Sequence, residues 1–549
     1  MRAADAMVAQ LTEVGIDRIF CVPGESYLSL IDACAGTGAL DLVVCRHEGG
    51  AGFLALGDAK VTGRTGCVAV SRGPGATNVS IAIHAAEQDA VPLLVLIGQV
   101  SRIERGRGAF QEVDYAKTFS DMAKAVFEVH EASKLCETVA RAVAIAEGGT
   151  PGPVVIAMPE DMLSDAVEIR RWPRFAAPAA HPSGSDIEAV AARLAKAERP
   201  LIIAGGGVAS STGRSALATA ASTHQVPVAL TFKRQELFDN ASPLFAGHLG
   251  FKNPRAHVAL LEAADLVIAV GTRLGDTSTQ GYQIPRAPRP DQPLIHIHQD
   301  PRQIGHMFET AIGLVCDPTA FLGELARAQT TIPAARPAWI NRIAEYVATQ
   351  REFTPGTHVD GLDFGAFVAP LAKAAPKGTI VTMDAGNFSS WVHRLWPWDG
   401  TSIALGAVGG AMGLGIPGAI AAAMRHPSTP VIGFCGDGGA LMTGNELATA
   451  IAVGAKPKIV ICNNGSYGTI RQHQERDYPR RVAATRLINP DFAQWGRAFG
   501  ALGLTVASAA DIAPAIETML AHDGPVVVDV RASVEAISAH TTISAMHAR

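Results

Sequence analysis

Short apolar runs rich in β-branched residues alternate with longer stretches of helical character along the whole chain. In the first third, the apolar runs occupy residues 16–22, 40–45, 66–71 and 92–97. Helix-like segments, such as 25–35 and 48–61, lie between them. An alternation of strands and helices is typical of parallel sheets that are covered by helices on both faces. The pattern therefore predicts an α/β protein with doubly wound, mainly parallel sheets.

Two proline-rich segments, 170–185 and 331–359, interrupt this alternation and are typical of linkers. A second α/β unit runs from 201 to 298, and a third runs from 379 to 530. The length of 549 residues also suits about three domains of ordinary size. We therefore predict three α/β domains, at residues 1–170, 186–330 and 360–549.

Charge and cysteine usage exclude several classes of protein. The net charge is −5, the pI is near 6.4, and no block of five or more like charges occurs. A nucleic-acid-binding protein normally carries a basic face, so we expect no nucleic-acid partner. The eight cysteines contain no C-x-x-C pair, which indicates thiols in a reducing compartment. No long apolar segment follows Met1, so we expect no signal peptide and predict a cytoplasmic protein.

One uncharged stretch, 401–424, is long enough to cross a bilayer. It contains six glycines and Pro417, and most of its apolar residues are alanines. A buried glycine-rich turn that leads into a helix fits this composition better than a membrane span. We therefore expect no membrane association.

The most specific chemical pattern lies in the third predicted domain. A buried strand at 431–434 ends at a Gly-Asp-Gly-Gly turn, a helix is predicted at 441–453, and a second strand at 458–462 ends at Asn-Asn-Gly-Ser. Ligands of open α/β sheets bind at the carboxyl ends of the strands. Each turn alone is equally well explained as an ordinary strand end. Together, with Asp437 and Asn464 separated by 27 positions, they fit one βαβ unit with polar residues at one edge.

This pair of turns offers the ligands that Mg²⁺ and a diphosphate require. Asp437 supplies a carboxylate, Asn464 an amide oxygen and Ser466 a backbone carbonyl, and Mg²⁺ prefers such oxygen ligands. Gly438 and Gly439 let backbone N–H groups approach phosphate oxygens closely. Gly-Asp-Gly followed after this interval by Asn-Asn resembles the signature of thiamine-diphosphate-dependent enzymes. The resemblance implies that Asp437, Asn464 and the carbonyl of Ser466 bind the metal.

The first predicted domain carries a second pattern, centred on Glu48. Arg-His-Glu-Gly at 46–49 follows a strand and opens a helix, where a glutamate is usually a first-turn charge. Together with Gly-Pro-Gly-Ala-Thr-Asn at 73–78, it resembles the pyrimidine-binding domain of the acetohydroxyacid synthase group. The resemblance implies that Glu48 bonds N1′ of the aminopyrimidine and promotes loss of the C2 proton. It also implies that Pro74 and Asn78 contact the coenzyme.

Further segments extend the resemblance over nearly the whole chain. Gly410 and Met412 lie in a segment that, in the family, holds the aminopyrimidine, and Asn387 lies where a second diphosphate loop would be. Phe110 and Gln111 resemble residues that lie beside the reacting carbons. The remaining positions resemble or replace substrate-contacting residues of that group: Lys124, Arg273 and His473.

Two departures from the synthases concern the ligands. Residues 273–277 lack the flavin-associated pattern, although Arg273 is retained as a possible carboxylate ligand, so we expect FAD to be absent. His473 replaces a tryptophan of the synthase substrate channel, so the acceptor pocket should differ.

The resemblance implies cleavage or formation of a C–C bond next to a carbonyl, with thiamine diphosphate and Mg²⁺. The leading hypothesis is decarboxylation of a 2-oxo acid, with or without carboligation to a second carbonyl. The alternative is a C–C lyase or hydrolase that acts without decarboxylation on a 1,2-diketone or a 2-hydroxyacyl-CoA. A non-catalytic binding subunit is disfavoured because Glu48, Asp437 and Asn464 are all present. We expect a small carbonyl substrate and a homodimer or homotetramer.

Overall fold

A computed structural model describes residues 1–176 and 178–548. They form two compact units, of which the first contains residues 1–176, 355–392 and 405–548, and the second contains residues 178–354 and 393–404. The first unit contains one six-stranded sheet and nearly all of another, and the second unit contains one six-stranded sheet. The α/β class and the parallel sheets are confirmed, whereas the predicted domain bounds stay predictions because two of the sheets share one unit.

The first sheet has the strand order β2-β1-β3-β4-β6-β5, and every neighbouring pair is parallel. Its strands are β1 Arg18–Cys21, β2 Asp41–Val44, β3 Gly66–Val70, β4 Leu93–Gln99, β5 Ala125–Glu128 and β6 Pro153–Pro159. The associated helices are α1 Ala3–Glu13, α2 Leu28–Thr37, α3 Glu48–Thr62, α4 Pro74–Asp89, α5 Tyr115–Phe119 and α6 Leu135–Glu147. Alternate strand residues pack with α1, α2 and α6 in one core, and α3 and α4 also contact strands of this sheet.

The sheet of the second unit has the order β12-β11-β10-β7-β8-β9 and is parallel throughout, with an irregularity between β8 and β9. Its strands are β7 Pro200–Ala204, β8 Val228–Leu230, β9 Phe245–His248, β10 Leu266–Val270, β11 Leu294–His298 and β12 Ile312–Val315. The helices are α7 Gly184–Leu194, α8 Ser211–His224, α9 Arg255–Glu262, α10 Pro318–Arg327 and α11 Arg336–Arg351.

The third sheet has the order β14-β13-β15-β16-β18-β17, with parallel pairing from β13 through to β17. Its strands are β13 Ile380–Met383, β14 Ile403–Gly406, β15 Val431–Gly436, β16 Lys458–Asn463, β17 Leu502–Val506 and β18 Val526–Arg531. The helices are α12 Phe364–Ala374, α13 Ser389–Leu395, α14 Gly415–Arg425, α15 Asp437–Thr443, α16 Leu447–Ala452, α17 Gly468–Asp477, α18 Phe492–Phe499, α19 Ala509–Ala521 and α20 Ile543–His547.

The chain after β15 differs from the helix predicted at 441–453. Helix α15 begins at Asp437, and a 3₁₀ turn at Gly444–Glu446 separates it from α16. Gly436 is extended and caps the helix, so Asp437 occupies the first helical turn, where a negative charge is favoured. The carboxylate is thereby fixed at the carboxyl edge of the sheet.

The uncharged stretch 401–424 contains the short strand β14, a turn at 407–413 and most of α14. It is therefore a turn that leads into a helix, as predicted, but Gly409 and Gly410 in the turn are exposed, and the composition did not indicate the preceding strand. Among the described residues, no helix is both long enough and apolar enough to cross a membrane. All eight cysteines are buried and none forms a disulfide.

Candidate functional site

Asp437 lies at the carboxyl edge of the third sheet, where β15 passes into α15. Its side chain is almost fully buried, at 2% exposure. The carboxylate accepts hydrogen bonds from Asn489 Nδ2 at 2.8 Å, from the Gly438 amide at 2.9 Å and from the Ser466 amide at 3.3 Å. Burial raises the pKa of Asp437, and these donors partly offset that shift. A desolvated carboxylate of this kind gains from a nearby cation.

Asn464 and Ser466 follow the neighbouring strand, β16, and reach the same edge. Asn464 Oδ1 accepts a hydrogen bond from the Ser466 amide at 3.1 Å. Ser466 is buried, and its Oγ has no hydrogen-bond partner among the described residues. Both strand ends therefore converge on one oxygen-rich group, as predicted for Asp437, Asn464 and Ser466. Such a donor set fits Mg²⁺, which prefers few protein oxygens and shares the rest of its shell with phosphate and water.

The glycines of the Asp437 turn are required by close contacts. A Cβ at Gly438 would lie 2.4 Å from the Tyr467 ring, and a Cβ at Gly439 would lie 2.2 Å from Asp384 Oδ2. Asp384 is itself buried at the end of β13, and its Oδ1 accepts the Gly413 amide at 2.8 Å. The turn after β13, the turn after β15 and the loop before α14 therefore pack against one another at this edge.

Asn387 belongs to the same edge. Its backbone N–H donates to Thr469 Oγ1 at 2.9 Å, and its side-chain Nδ2 donates to the carbonyl of Ile537. A Cβ at Gly468 would lie 2.8 Å from Asn387 Oδ1 and 3.2 Å from Asn464 Nδ2, so the two side chains converge on Gly468. The structure thus brings Asn387 beside the Asp437 group.

Gly410 and Met412 lie in the turn that precedes α14. Gly410 has φ +74°, a left-handed conformation that favours glycine. Met412 Cε lies 3.8 Å from the position of a Cβ on Gly439, which places the methionine beside the Asp437 turn. The two predicted pyrimidine-binding residues and the predicted metal ligands therefore share one edge of the third sheet.

Glu48 is the first residue of α3 and follows the carboxyl end of β2 after a short turn. It is half-buried, and its Oε2 accepts a hydrogen bond from Asn78 Nδ2 at 2.9 Å. Its Oε1 lies 3.3 Å from the position of a Cβ on Gly75. Pro74 and Asn78 both lie in the first turns of α4. The structure therefore brings Glu48 next to the 73–78 turn, as its sequence pattern predicts.

Gln111 and Phe110 lie beside the same turn. Gln111 has φ +64°, and a Cβ on Gly73 would lie 2.8 Å from its Cβ. The buried Gln111 Oε1 has no hydrogen-bond partner among the described residues, so the side chain retains an acceptor for a ligand. Phe110 is 76% exposed, which is unusual for an aromatic side chain.

The three predicted substrate-contacting residues lie in different surroundings. Lys124 lies at the amino end of β5, where its amide bonds the Pro153 carbonyl and its Nζ bonds the Gly148 carbonyl at 2.5 Å. That edge of the parallel sheet is opposite to the edge that carries Glu48, and the contact of Lys124 with a substrate stays a prediction. The position of Lys124 at this edge could not be inferred from the sequence, because a resemblance at one residue does not give the register of the strand.

Arg273 and His473 have different surroundings. Arg273 follows β10 in the second unit, near His298. Burial, together with His296 and Arg273, lowers the pKa of His298 to about 4. His473 is exposed on α17, and its Nδ1 accepts a hydrogen bond from Arg476 at 2.8 Å. Their contacts with a substrate stay predictions.

Asn489 is a site residue that the sequence did not indicate. Its Nδ2 donates to Asp437 and, at 2.9 Å, to Asn463 Oδ1. Asn463 Nδ2 in turn donates to the fully buried Asp529 at 2.9 Å. Asn489 precedes Pro490 and is typical of a turn, so its local sequence gives no sign of this contact.

The described residues contain no group of three or more His, Cys, Asp or Glu side chains that could hold a metal ion. The oxygen-rich group at Asp437 consists instead of one carboxylate, one amide oxygen and one backbone carbonyl. Two further groups of contacts, those of Met412 and those of Glu48, could hold a heteroaromatic ring.

Comparison with known proteins gives matches along most of the chain. Three family models match: the N-terminal TPP binding domain of thiamine pyrophosphate enzymes at residues 1–118, the central domain at 187–325 and the C-terminal TPP binding domain at 384–530. The chain is 31% identical over 542 residues to the acetolactate synthase isozyme 1 large subunit of Escherichia coli K12, covering 97% of the chain and 94% of that relative.

Two further relatives are similar at the same level. An acetolactate synthase of Mycobacterium bovis is 31% identical over 550 residues, which cover 96% of the chain and 88% of the relative. A putative thiamine pyrophosphate-containing protein of Bacillus subtilis, YdaP, is 30% identical over 544 residues, which cover 96% of the chain and 91% of the relative.

Proposed function

Because the chain belongs to the thiamine-pyrophosphate-dependent enzymes, in the acetolactate synthase-like group, we propose that it decarboxylates a small 2-oxo acid. It is an enzyme of the lyase or transferase type. It acts as a lyase if the carbon that loses CO₂ takes up a proton, and as a transferase if that carbon bonds an acceptor carbonyl. In both cases the C–C bond next to the carbonyl breaks and its electron pair stays with the carbonyl carbon.

The observation that carries this proposal is the Asp437 group at the edge of the third sheet. We assign Mg²⁺ to Asp437, Asn464 and the Ser466 carbonyl, and the diphosphate to the same edge near Asn387. Support comes from the desolvated carboxylate, the unpartnered Ser466 Oγ and the convergence of both asparagines. The backbone amide of Gly439 is offered as a phosphate ligand, whereas the Gly438 amide holds the Asp437 carboxylate.

Bound thiamine diphosphate supplies a carbon nucleophile and an electron sink. The protein's own residues bind, orient and exchange protons. In our proposal Glu48 holds a proton at N1′ of the aminopyrimidine, and the hydrogen bond from Asn78 fixes the direction of its carboxylate. Gly410 and Met412 hold the pyrimidine ring, and Gln111 offers its buried Oε1 to the substrate side.

The reaction class can be tested with purified enzyme supplied with thiamine diphosphate and Mg²⁺. We expect CO₂ release from pyruvate or glyoxylate, and none from an Asp437→Ala control. Cleavage of a cyclic 1,2-dione without CO₂ release, by enzyme that is inert toward both acids, would replace decarboxylation with the lyase or hydrolase alternative.

A further inference from the structure

The first unit has two halves: residues 1–176 with the first sheet, and residues 355–392 and 405–548 with the third sheet. Two buried carboxylates, Asp89 in the first half and Glu446 in the second, connect these halves in a reciprocal way. Each is the last residue of a helical segment. Each accepts hydrogen bonds from backbone N–H groups of the other half. In both cases the bonded backbone lies directly ahead of a residue that we assign to the coenzyme.

Glu446 ends the 3₁₀ turn that follows α15, and its side chain is fully buried. Its Oε1 accepts the amides of Arg46 and His47, each at 3.0 Å, and Glu48 is the next residue. Thr449 Oγ1 donates to Oε2 at 2.6 Å and fixes the carboxylate. These two amides belong to the N-cap residue His47 and to the residue before it, so Glu446 holds the backbone that leads into α3 from the other half of the unit.

Close packing supports this contact. A Cβ on Gly50 would lie 2.3 Å from Glu446 Oε1, so only glycine at this position admits the carboxylate. Burial raises the pKa of Glu446, and the donors that surround it lower the cost of its charge. The side chain therefore holds the start of α3 at a fixed distance from the turn that follows α15.

Asp89 is the last residue of α4, and its side chain is buried. Its Oδ1 accepts the amides of Val408 at 2.7 Å and Gly409 at 3.1 Å, and Gly410 is the next residue. Its Oδ2 pairs with Lys60, whose Nζ also donates to the Gly406 carbonyl at 2.5 Å. Asp89 thus holds the turn that leads to Gly410 and Met412.

The two helices beside these contacts also touch directly. Helix α3 starts at Glu48, and α14 follows the turn that contains Met412. They cross where a Cβ on Gly57 would lie 2.9 Å from the Cα of Gly418. Such a close crossing leaves little freedom for either helix to slide.

We propose that Glu446 and Asp89 are positioning residues, which set the places of Glu48 and of the Gly410–Met412 turn through the backbone. This inference rests on the proposed function, because it concerns the geometry in which Glu48 and the turn meet the coenzyme. It assigns neither residue a contact with substrate.

The test for Glu446 compares two substitutions of similar size. Glu446→Gln keeps an acceptor for the Arg46 and His47 amides, whereas Glu446→Met removes it. The rate of deuterium exchange at C2 of bound thiamine diphosphate measures the proton loss that Glu48 is proposed to promote. We expect the C2 exchange rate of Glu446→Gln to stay within about threefold of wild type. Glu446→Met should slow exchange at least about 10-fold, because misplacing a reacting group by about 1 Å can lower its rate about 10²-fold. Coenzyme affinity should change less than the exchange rate.

Asp89 requires a design that removes its ion pair first, because a buried, unpaired Lys60 would destabilise the protein. We compare Lys60→Met/Asp89→Asn with Lys60→Met/Asp89→Leu. Only the first double variant, Lys60→Met/Asp89→Asn, retains an acceptor for the Val408 and Gly409 amides. We expect the Leu variant to exchange at least about fivefold more slowly and to bind coenzyme more weakly than the Asn variant, since it leaves two buried amides unbonded.

Arg425→Met is the matched control. Arg425 crosses the same boundary and bonds Asp58 at 2.6 Å and Asp17 at 2.6 Å, but holds no coenzyme turn. It should lower the melting temperature without changing C2 exchange. If Glu446→Met does not fold, Thr449→Val removes one bond to the carboxylate at nearly constant volume, and a twofold or larger slowing is expected.

The outcomes separate the two proposals. Absence of C2 exchange in coenzyme-loaded wild-type protein overturns the proposed function and this inference with it. If wild-type exchange is normal and the rates are unchanged in Glu446→Met, Thr449→Val and Lys60→Met/Asp89→Leu, the positioning role alone is overturned. Equal slowing in Arg425→Met also overturns it, because the effect would then follow from general loss of stability.

Discussion

At the scale of single residues, Glu48 combines an ordinary position with unusual surroundings. A glutamate in the first turn of a helix is favoured by the helix dipole, and that alone explains its presence. However, its carboxylate also bonds Asn78 and lies against the 73–78 turn. A purely electrostatic role does not require such a fixed orientation.

Glu48→Gln distinguishes these roles. If Glu48 only supports the helix, the free energy of unfolding should fall by at most about 1 kcal/mol and activity should persist. If it shares a proton with N1′, the C2 exchange rate of bound coenzyme should fall by at least about 10²-fold, as for loss of a general acid–base group. Quench-NMR of C2 deuterium exchange measures the difference. Equal rates would remove Glu48 from the mechanism.

Asp437 is expected to anchor both the metal and the coenzyme. Asp437→Ala should abolish retention of thiamine diphosphate, because the metal would lose its only carboxylate ligand in the proposed set. Equilibrium dialysis with Mg²⁺ present checks this. Coenzyme binding with wild-type affinity would show that the metal assignment is wrong.

Asn489 should act on the same site indirectly. It donates to Asp437 Oδ2 and so orients the carboxylate. Asn489→Leu, of similar volume but without a donor, should weaken Mg²⁺ binding by about 10- to 100-fold, as is typical for partners of metal ligands. Titration of the loaded enzyme with a chelator measures the shift. An unchanged metal affinity would mean that the Ser466 and Gly438 amides suffice to hold Asp437.

At the scale of secondary-structure elements, the glycine-rich start of α15 has a specific packing role. Glycine normally destabilises a helix interior relative to alanine. At Gly439 that rule reverses, because a methyl group would lie 2.2 Å from Asp384 Oδ2. In contrast, Gly323 in α10 has open space around its Cβ position.

These two glycines give a matched pair of substitutions. Gly439→Ala should destabilise the protein by about 1–3 kcal/mol through overpacking and should weaken coenzyme binding. Gly323→Ala should be neutral or stabilising by up to about 1 kcal/mol. Thermal unfolding and coenzyme titration of both variants provide the measurement. A Gly439→Ala protein as stable as Gly323→Ala would contradict the tight turn.

The glycine-rich turn after β7, at residues 205–207, could be taken for a dinucleotide-binding turn and so bears on the expected absence of FAD. A Cβ on Gly207 would lie 2.7 Å from Gly271, and one on Gly206 would lie 3.0 Å from the Arg234 guanidinium. Contacts within the second unit therefore account for these glycines, with no need for a dinucleotide. We expect purified protein to lack flavin absorbance, and a stoichiometric flavin would contradict the expectation.

At the scale of the whole molecule, large apolar side chains are exposed around the proposed site. Phe110 is 76% exposed, Ile470 54% and Leu441 48%. Contiguous exposed apolar patches mark interfaces, whereas single exposed residues occur on any protein surface. Glu48 and the Asp437 group lie at the edges of two different sheets, and the resemblance to thiamine-diphosphate-dependent enzymes implies that the coenzyme binds between two chains.

We therefore expect a homodimer or homotetramer with two-fold symmetry, which would generate two equivalent sites per pair of chains. Sedimentation velocity of the active enzyme with coenzyme and Mg²⁺ tests this. A strictly monomeric active species would contradict the shared site.

The sequence by itself determined the class of fold and the turns that carry the chemistry. Strands and helices follow from local periodicity, because a strand buries every second residue or a short apolar run, and a helix buries one face. Asp437, Asn464 and Glu48 were found for the same reason, since each lies within a few residues of a strand end. The start of α15 was missed because glycine has low helical propensity and only the contacts of the folded chain select it.

Only the tertiary structure decided which of these turns meet and what holds them. Glu446 and Arg46 are 400 positions apart, and Asp89 and Val408 are 319 apart. Asn489 reaches Asp437 across 52 positions, whereas Lys124 lies at the edge of its sheet that is opposite to Glu48. Such pairings depend on how packed helices and sheets place distant backbone groups, and local periodicity carries no information about that placement.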